Sequence, residues 1–203
     1  MSIIAENKPH VIYENIYKFF EYREIQPKNE KVSVNEFNNL LLQNVYIEID
    51  GINTRSNNDV KVYLFIDVDG KSVDSTTFNK FIKNKIEQSD TQEILMVINN
   101  ITSSRKKKIE KLRAKKAKLE LYDYDMFSSI KPENILVPEH ILMSQEEQDE
   151  FIETYKLDHE YIFPFIEKND PQVVWIGGES GDLIKIINRN EISGLEIKYR
   201  KVI

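Results

Sequence analysis

An α+β protein of two units is expected, with an α/β layer domain over residues 1–130 and a small mixed α/β domain over 131–203. Three observations carry this. The apolar periodicity switches between about 3.6 and 2 several times before residue 130. The stretch Ser128-Ser129-Ile130-Lys131-Pro132-Glu133 is a polar, Pro-containing lapse in that pattern. The charge also divides: from Asn134 onward there are 7 Lys+Arg against 14 Asp+Glu, a balance of -7, whereas the preceding residues sum to +1.

In the first unit, Ile12, Ile16, Phe19 and Phe20 have helical spacing within Val11–Arg23. A second helix opens at Ser33-Val34-Asn35-Glu36, a capping-box sequence followed by the stripe Phe37, Leu40 and Leu41. The period then becomes two: Val45, Ile47 and Ile49 alternate with Tyr46, Glu48 and Asp50, and residues 60–67 are β-branched and aromatic. Asp69-Gly70 marks a turn. Phe78, Phe81, Ile82 and Ile86 form the next helical stripe, Glu93 to Asn99 is short enough for a buried strand, and a helix across Ser104 to Ala117 precedes a strand over Leu119 to Tyr122.

In the second unit, Ser144-Gln145-Glu146-Glu147 is another capping box, with Phe151 and Ile152 on its apolar side. Asp170-Pro171 suits an N-cap and first helical residue, Gly177-Gly178 a helix stop and Gly181-Asp182 a turn. Residues 183–187 and 195–202 read as strands.

Several function classes are set aside by composition. There is no Cys, and His10, His140 and His159 form no ligand-spaced pair, so no metal or cofactor site and no cysteine nucleophile is expected. No run of 18 apolar residues occurs, and the start has neither a basic nor an apolar leader segment, so a soluble chain without a membrane span is expected. A net charge of -6 argues against a surface that grips nucleic acid everywhere. No catalytic residues emerge, because no motif brings Ser, His and acidic groups together. His140 beside Glu139 reads as a structural pair.

Local candidates remain. Asp67-Val68-Asp69-Gly70 admits a divalent-metal reading, as in a metal-dependent nuclease, beside the simpler one of a strand feeding a turn. Gly177-Gly178-Glu179-Ser180-Gly181-Asp182 lacks the Lys and hydroxyl residue of a phosphate loop. The densest basic run, which includes Arg105, Lys106, Lys107, Lys108, Lys111 and Lys115, offers a helical cationic shell that can follow a phosphate backbone, either as a DNA contact within an assembly or as a free-standing DNA-binding regulator. Its alternative is a solvated helix face. Val173, Val174, Trp175 and Ile176 beside two glycines suit an interface core or an internal one.

Leu136-Val137-Pro138-Glu139-His140, Tyr155-Lys156-Leu157, Pro164, Asp170-Pro171, Gly177, Gly181, Lys185-Ile186-Ile187, Glu191, Ser193-Gly194 and Tyr199-Arg200 resemble, in order and nearly in spacing, the fifth common subunit of eukaryotic-type DNA-directed RNA polymerases, whose C-terminal domain corresponds to a small separate subunit of the archaeal enzymes. The N-terminal part is similar more loosely, through Tyr22-Arg23, Ser33, the strands near Val62 and Leu95, and Tyr122 to Phe127. The resemblance implies a non-catalytic subunit without a cofactor. It implies a C-terminal domain docked on the largest polymerase subunit through the region of Pro138, His140, Asp170, Pro171, Trp175, Gly177, Gly181, Lys185, Glu191, Gly194, Tyr199 and Arg200, and an N-terminal jaw domain beside downstream duplex DNA.

Departures limit the transfer of contacts: Glu179-Ser180 stands where the family is usually basic, Val174 where it has Arg, and Asn188-Arg189-Asn190-Glu191 where it reads Arg-Pro-Ser-Glu. The Trp175-Ile176-Gly177-Gly178 form and the Lys-, Asn- and Ile-rich composition are similar to subunits encoded by large cytoplasmic DNA viruses. That implies the host cytoplasm and virion as location, against the nucleus for a cellular subunit.

Overall fold

The structure, a computed structural model, describes residues 8–66, 73–114, 118–156, 163–190 and 194–203. The chain divides into two compact units, residues 1–129 and 130–203.

In the first unit, α1 (Lys8–Tyr22) buries Ile12, Tyr13, Ile16, Tyr17, Phe19 and Phe20, the stripe that its spacing dictates. A strand absent from the sequence reading, β1 (Ile25–Pro27), follows at once and pairs with β2 (Tyr46–Asn53). Three residues are too few to show a period. Between them lies α2 (Val34–Gln43), whose Ser33 N-cap completes the reciprocal capping box with Glu36. β3 (Asn58–Phe65) runs antiparallel to β2, and β4 (Glu93–Ile98) and β5 (Lys118–Asp123) continue the sheet in parallel, giving the order β1-β2-β3-β4-β5. The parallel pairs need crossovers. α3 (Ser75–Phe81) continues into a π-helical turn over Ile82–Ile86, and α4 (Ser103–Arg113) is the second crossover. Their N-caps are Asp74 and Thr102, and α4 starts one residue before the Ser104 expected from the sequence.

The sheet is covered on both faces. On one, Tyr63, Phe65, Ile94, Met96, Ile98 and Leu119 pack with Phe78, Phe81, Ile82, Ile86, Ile109 and Leu112 of the crossovers. Alternation sends Ile47, Ile49 and Gly51 of β2 to the opposite face. A Cβ on Gly51 would stand 3.1 Å from the ring of Phe20 and 2.6 Å from Ile25, so glycine there lets α1 and β1 close on β2. All six residues of β4 are buried, as expected of a strand sandwiched between two layers.

The second unit has a four-stranded sheet in the order β6-β8-β9-β7, with β6 (Glu139–Leu142), β7 (Phe165–Ile166), β8 (Leu183–Asn190) and β9 (Gly194–Val202). Among the described residues its α-helices are α5 (Gln145–Thr154), started by the Ser144 capping box, and α6 (Pro171–Ile176), capped by Asp170 and stopped by Gly177 at φ 75°. The core joins Val173 and Ile176 to Ile166, Ile184, Ile186 and Val202 on one sheet face. Gly178 belongs to this packing, since a Cβ would lie 2.9 Å from the Val173 side chain. On the opposite face Phe151 of α5 stacks against Tyr199 with 4.2 Å between ring centroids.

Glu93, at the head of β4, is 5% exposed and accepts hydrogen bonds from Asn58 at 2.9 Å, Ser56 at 3.0 Å, Lys118 at 3.0 Å and Asn53 at 3.3 Å. Burial alone pushes its pKa up, but the hydrogen bonds from Asn58 and Lys118, the Lys118 charge and the Ser56 hydroxyl outweigh it and hold the carboxyl below its ordinary value. A carboxyl with a lowered pKa in the folded state binds fewer protons than in the unfolded chain, so its stabilisation is complete above pH ~4.3 and is lost as pH falls below that. Glu93→Gln should therefore destabilise the fold by about 1–3 kcal/mol at pH 7. The difference from wild type should shrink toward pH 3, as read from denaturant midpoints over a pH series. A second expectation concerns modularity: residues 130–203 should fold alone, giving dispersed amide proton NMR signals, because their caps, turns and strand pairs are all internal to that unit.

Candidate functional site

Two surfaces stand out, one in each unit. In the first unit α4 is built from Ser103-Ser104-Arg105-Lys106-Lys107-Lys108-Ile109-Glu110-Lys111-Leu112-Arg113, and the Thr102 hydroxyl accepts from the Arg105 amide at 3.4 Å. Arg105, Ile109 and Leu112, at i, i+4 and i+7, form the buried stripe. That corrects the expectation for Arg105. Its guanidinium donates to the carbonyl of Asn100 at 3.2 Å and to that of Val73, and lies 5.3 Å from the centre of the Phe78 ring. A side chain with five donors can close off backbone carbonyls at the end of a crossover. It is thus not presented to a phosphate, and its spacing from Ile109 and Leu112 was the signal.

The remaining cations of the run differ in exposure. Lys106, Lys107 and Lys111 are exposed, while Lys108 is half-buried and donates to Asn79. Ser103, Ser104, Lys107, Lys108 and Lys111 line one open hollow along the helix. Arg113 is tied by its Nε to the Leu119 carbonyl at 2.6 Å. Such a face can attract an anionic polymer without reading its sequence. Lys115 lies outside the described residues, as do Asp67 and Asp69 of the metal reading. Among the described residues no cluster of three His, Asp or Glu could hold a metal ion.

In the second unit, most residues singled out for docking shape the backbone. His140 Nδ1 is 2.7 Å from the Pro138 carbonyl, so that nitrogen carries the proton and donates. Asp170 accepts from the Gln172 amide at 2.8 Å, with Pro171 at the first helical position. Gly177 takes the left-handed conformation, and the Gly178 amide closes on the Val173 carbonyl at 3.0 Å. Gly181, at φ 105°, donates to Val202, and Gly194, at φ 76°, begins β9.

Trp175 has no exposed surface. A charge placed there would be desolvated within the folded chain, so position 175 cannot report on docking alone. Lys185 and Tyr199 pair across β8 and β9, and exposed Arg200 donates to the Phe165 carbonyl at 3.2 Å. Glu191 lies outside the described residues.

The docking region named from the sequence leaves out a set of exposed apolar side chains: Ile135 and Leu136 before β6, Ile141 on β6, Ile152 and Tyr155 at α5, and Leu195 and Ile197 on β9. In β9 the available signal was the strict alternation of Leu195, Ile197 and Tyr199 with Glu196, Lys198 and Arg200.

Comparison with known proteins adds kinship to this geometry. Residues 131–202 match the family model described as RNA polymerase Rpb5, C-terminal domain. Over 191 residues, 89% of this chain and 90% of the relative, the sequence is 28% identical to the DNA-directed RNA polymerase RPB5 homolog of African swine fever virus. It is 29% identical over 143 residues to the DNA-directed RNA polymerases I, II, and III subunit RPABC1 of Caenorhabditis elegans, covering 70% of this chain and 66% of that protein. The Dictyostelium discoideum counterpart is also 29% identical, over 68% of this chain and 70% of its own length.

Burial separates the basic residues of α4 by consequence. Arg105→Ala should cost about 2–3 kcal/mol, because two backbone carbonyls lose a charged donor. Lys107→Gln should stay within about 0.5 kcal/mol of wild type. Urea denaturation of the two variants checks the contrast.

Proposed function

We propose that this chain, whose residues 131–202 match the family model described as RNA polymerase Rpb5, C-terminal domain, works as a non-catalytic subunit of a multisubunit DNA-directed RNA polymerase encoded by a large DNA virus. The observation that carries the reading is the extent of the viral likeness, which takes in 89% of the chain and therefore both units. In this proposal the C-terminal unit docks on the largest subunit and the N-terminal unit lies in the jaw beside downstream duplex DNA. Assembly takes place in the host cytoplasm, with packaging into the virion.

The division of charge supports that assignment of roles. The acidic C-terminal unit is unsuited to a polyanion, whereas the first unit carries the exposed Lys106, Lys107 and Lys111 on one helix. A jaw element needs only weak, sequence-independent attraction, because the rest of the enzyme already holds the template and a strong grip would oppose translocation. A few exposed lysines suit that requirement.

Affinity capture of the tagged chain from infected cells should recover the polymerase's largest subunit; recovery of the chain alone would remove the subunit reading. For the jaw role, Lys106, Lys107 and Lys111 are replaced together by Gln in the reconstituted polymerase. Retention on templates with long downstream arms should fall, and the slope of log affinity against log salt should flatten by up to about three. Equal slopes for mutant and wild type on long and short arms would withdraw α4 from the DNA.

A further inference from the structure

Among the described residues, the β8-β9 hairpin combines a backbone edge that no strand covers with a charge opposite to that of its own domain. We infer that the β9 edge from Leu195 to Tyr199 is a strand-addition site for an extended, acidic segment of a partner protein.

The edge follows from the hydrogen bonds at the end of β9. Lys201 donates to the Pro164 carbonyl and Ile203 to the Ile166 carbonyl, each at 3.0 Å, so odd-numbered residues direct their backbone groups toward β7. Val202 donates to Asp182 and accepts from Gly181, each at 2.9 Å, so even-numbered residues face β8. Strand alternation then aims the N–H and C=O groups of Leu195, Ile197 and Tyr199 away from β8. β7 covers only Lys201 and Val202. Among the described residues, no strand pairs with residues 195–200 on that side. Three donor–acceptor pairs at two-residue spacing match another β-strand, and side chains on alternate positions supply its selectivity.

Those side chains are apolar and exposed: Leu195 is 59% and Ile197 41% accessible. Ile187 lies beside Ile197 across the hairpin, and Arg189 beside Leu195. This is an apolar strip flanked by cations.

Charge selects the occupant. Residues 134–182 contain two Lys and twelve Asp or Glu, whereas residues 183–202 contain Lys185, Arg189, Lys198, Arg200 and Lys201 against Glu191 and Glu196. Five of the seven cations from Asn134 onward thus sit on this hairpin, and an acidic strand meets attraction there that the preceding acidic stretch denies it. A second copy of β9 brings the same sign of charge and is the poorer match.

The inference rests on the reading of the C-terminal unit as the half that docks, and names how it would dock. The test uses the full chain and no polymerase, so its failure leaves the captured-subunit result standing, and failed capture leaves the peptide result standing. The probe is a fluorescent, end-capped seven-residue peptide alternating Val with Glu, followed by anisotropy. Binding should weaken with salt. It should fall by about tenfold or more when alternate peptide amides are N-methylated. Ile197→Pro, which removes an outward N–H but no bond to β8, should cause a similar loss with circular dichroism and melting unchanged.

Should that variant misfold, the N-methylated peptide on the wild-type chain decides the matter. Equal binding of the methylated peptide, equal binding of a Lys-for-Glu peptide, or no binding of the acidic peptide would overturn the proposal. So would displacement of the acidic peptide by equimolar single-stranded DNA, or self-association of the chain through this edge in sedimentation.

Discussion

The N-terminal sheet depends on one strand buried on both faces, and that strand on one carboxylate. β4 carries Glu-Ile-Leu-Met-Val-Ile with every residue buried, so its only polar side chain enters the interior at its first position. A lone carboxylate there would be costly, and four donors from the flanking strands remove the cost: Asn53, Ser56 and Asn58 from the β2-β3 hairpin and Lys118 from β5. Because those donors come from both sides of β4, satisfying the charge also fixes the ends of adjacent strands relative to one another. The crossover helices α3 and α4 pack on one face of this sheet through Phe78, Phe81, Ile82, Ile86, Ile109 and Leu112.

A similar economy operates between α1 and β5 of the same unit. Arg23, just after α1, donates to Glu120 on β5 at 2.9 Å and to the Tyr122 hydroxyl at 3.4 Å while lying 4.5 Å above the Phe19 ring. Burial disfavours its charge, but Glu120 and Tyr122 more than compensate, so the guanidinium remains ionised. The ion pair thus ties α1 to β5, while Lys106, Lys107 and Lys111 of α4 stay exposed.

Legibility in the sequence followed the range of the interaction. Local devices were readable: both capping boxes, the Asp170-Pro171 start and the Gly177 stop are set within a few residues and appear as the sequence dictates. Long-range ones were not. β1 and β7 are three and two residues long and exist only because β2 and β9 offer them an edge. The Arg105 side chain looked like one more member of a cationic run because its acceptors, Val73 and Asn100, come from outside the helix. The exposed apolar strip of β9 was hidden for the opposite reason. Its alternation identified a strand correctly, but which face a strand turns to solvent depends on whether α5 or α6 covers it.

That last distinction explains why conspicuous motif residues and candidate contact residues separate in the second unit. Asp170, Pro171, Gly177 and Gly181 stand out in sequence because backbone geometry restricts what can occupy them, and such constraints arise inside the domain. A docking surface answers to its partner, and no local backbone rule marks it. It has to be found as a mismatch between side chain and environment. In this unit the mismatch is an exposed Leu195 and Ile197 along an edge that the two-residue β7 leaves uncovered, and cations gathered onto one hairpin of an acidic domain. Two unrelated physical quantities, a backbone edge that no described strand covers and segregated charge, converge on the same strand.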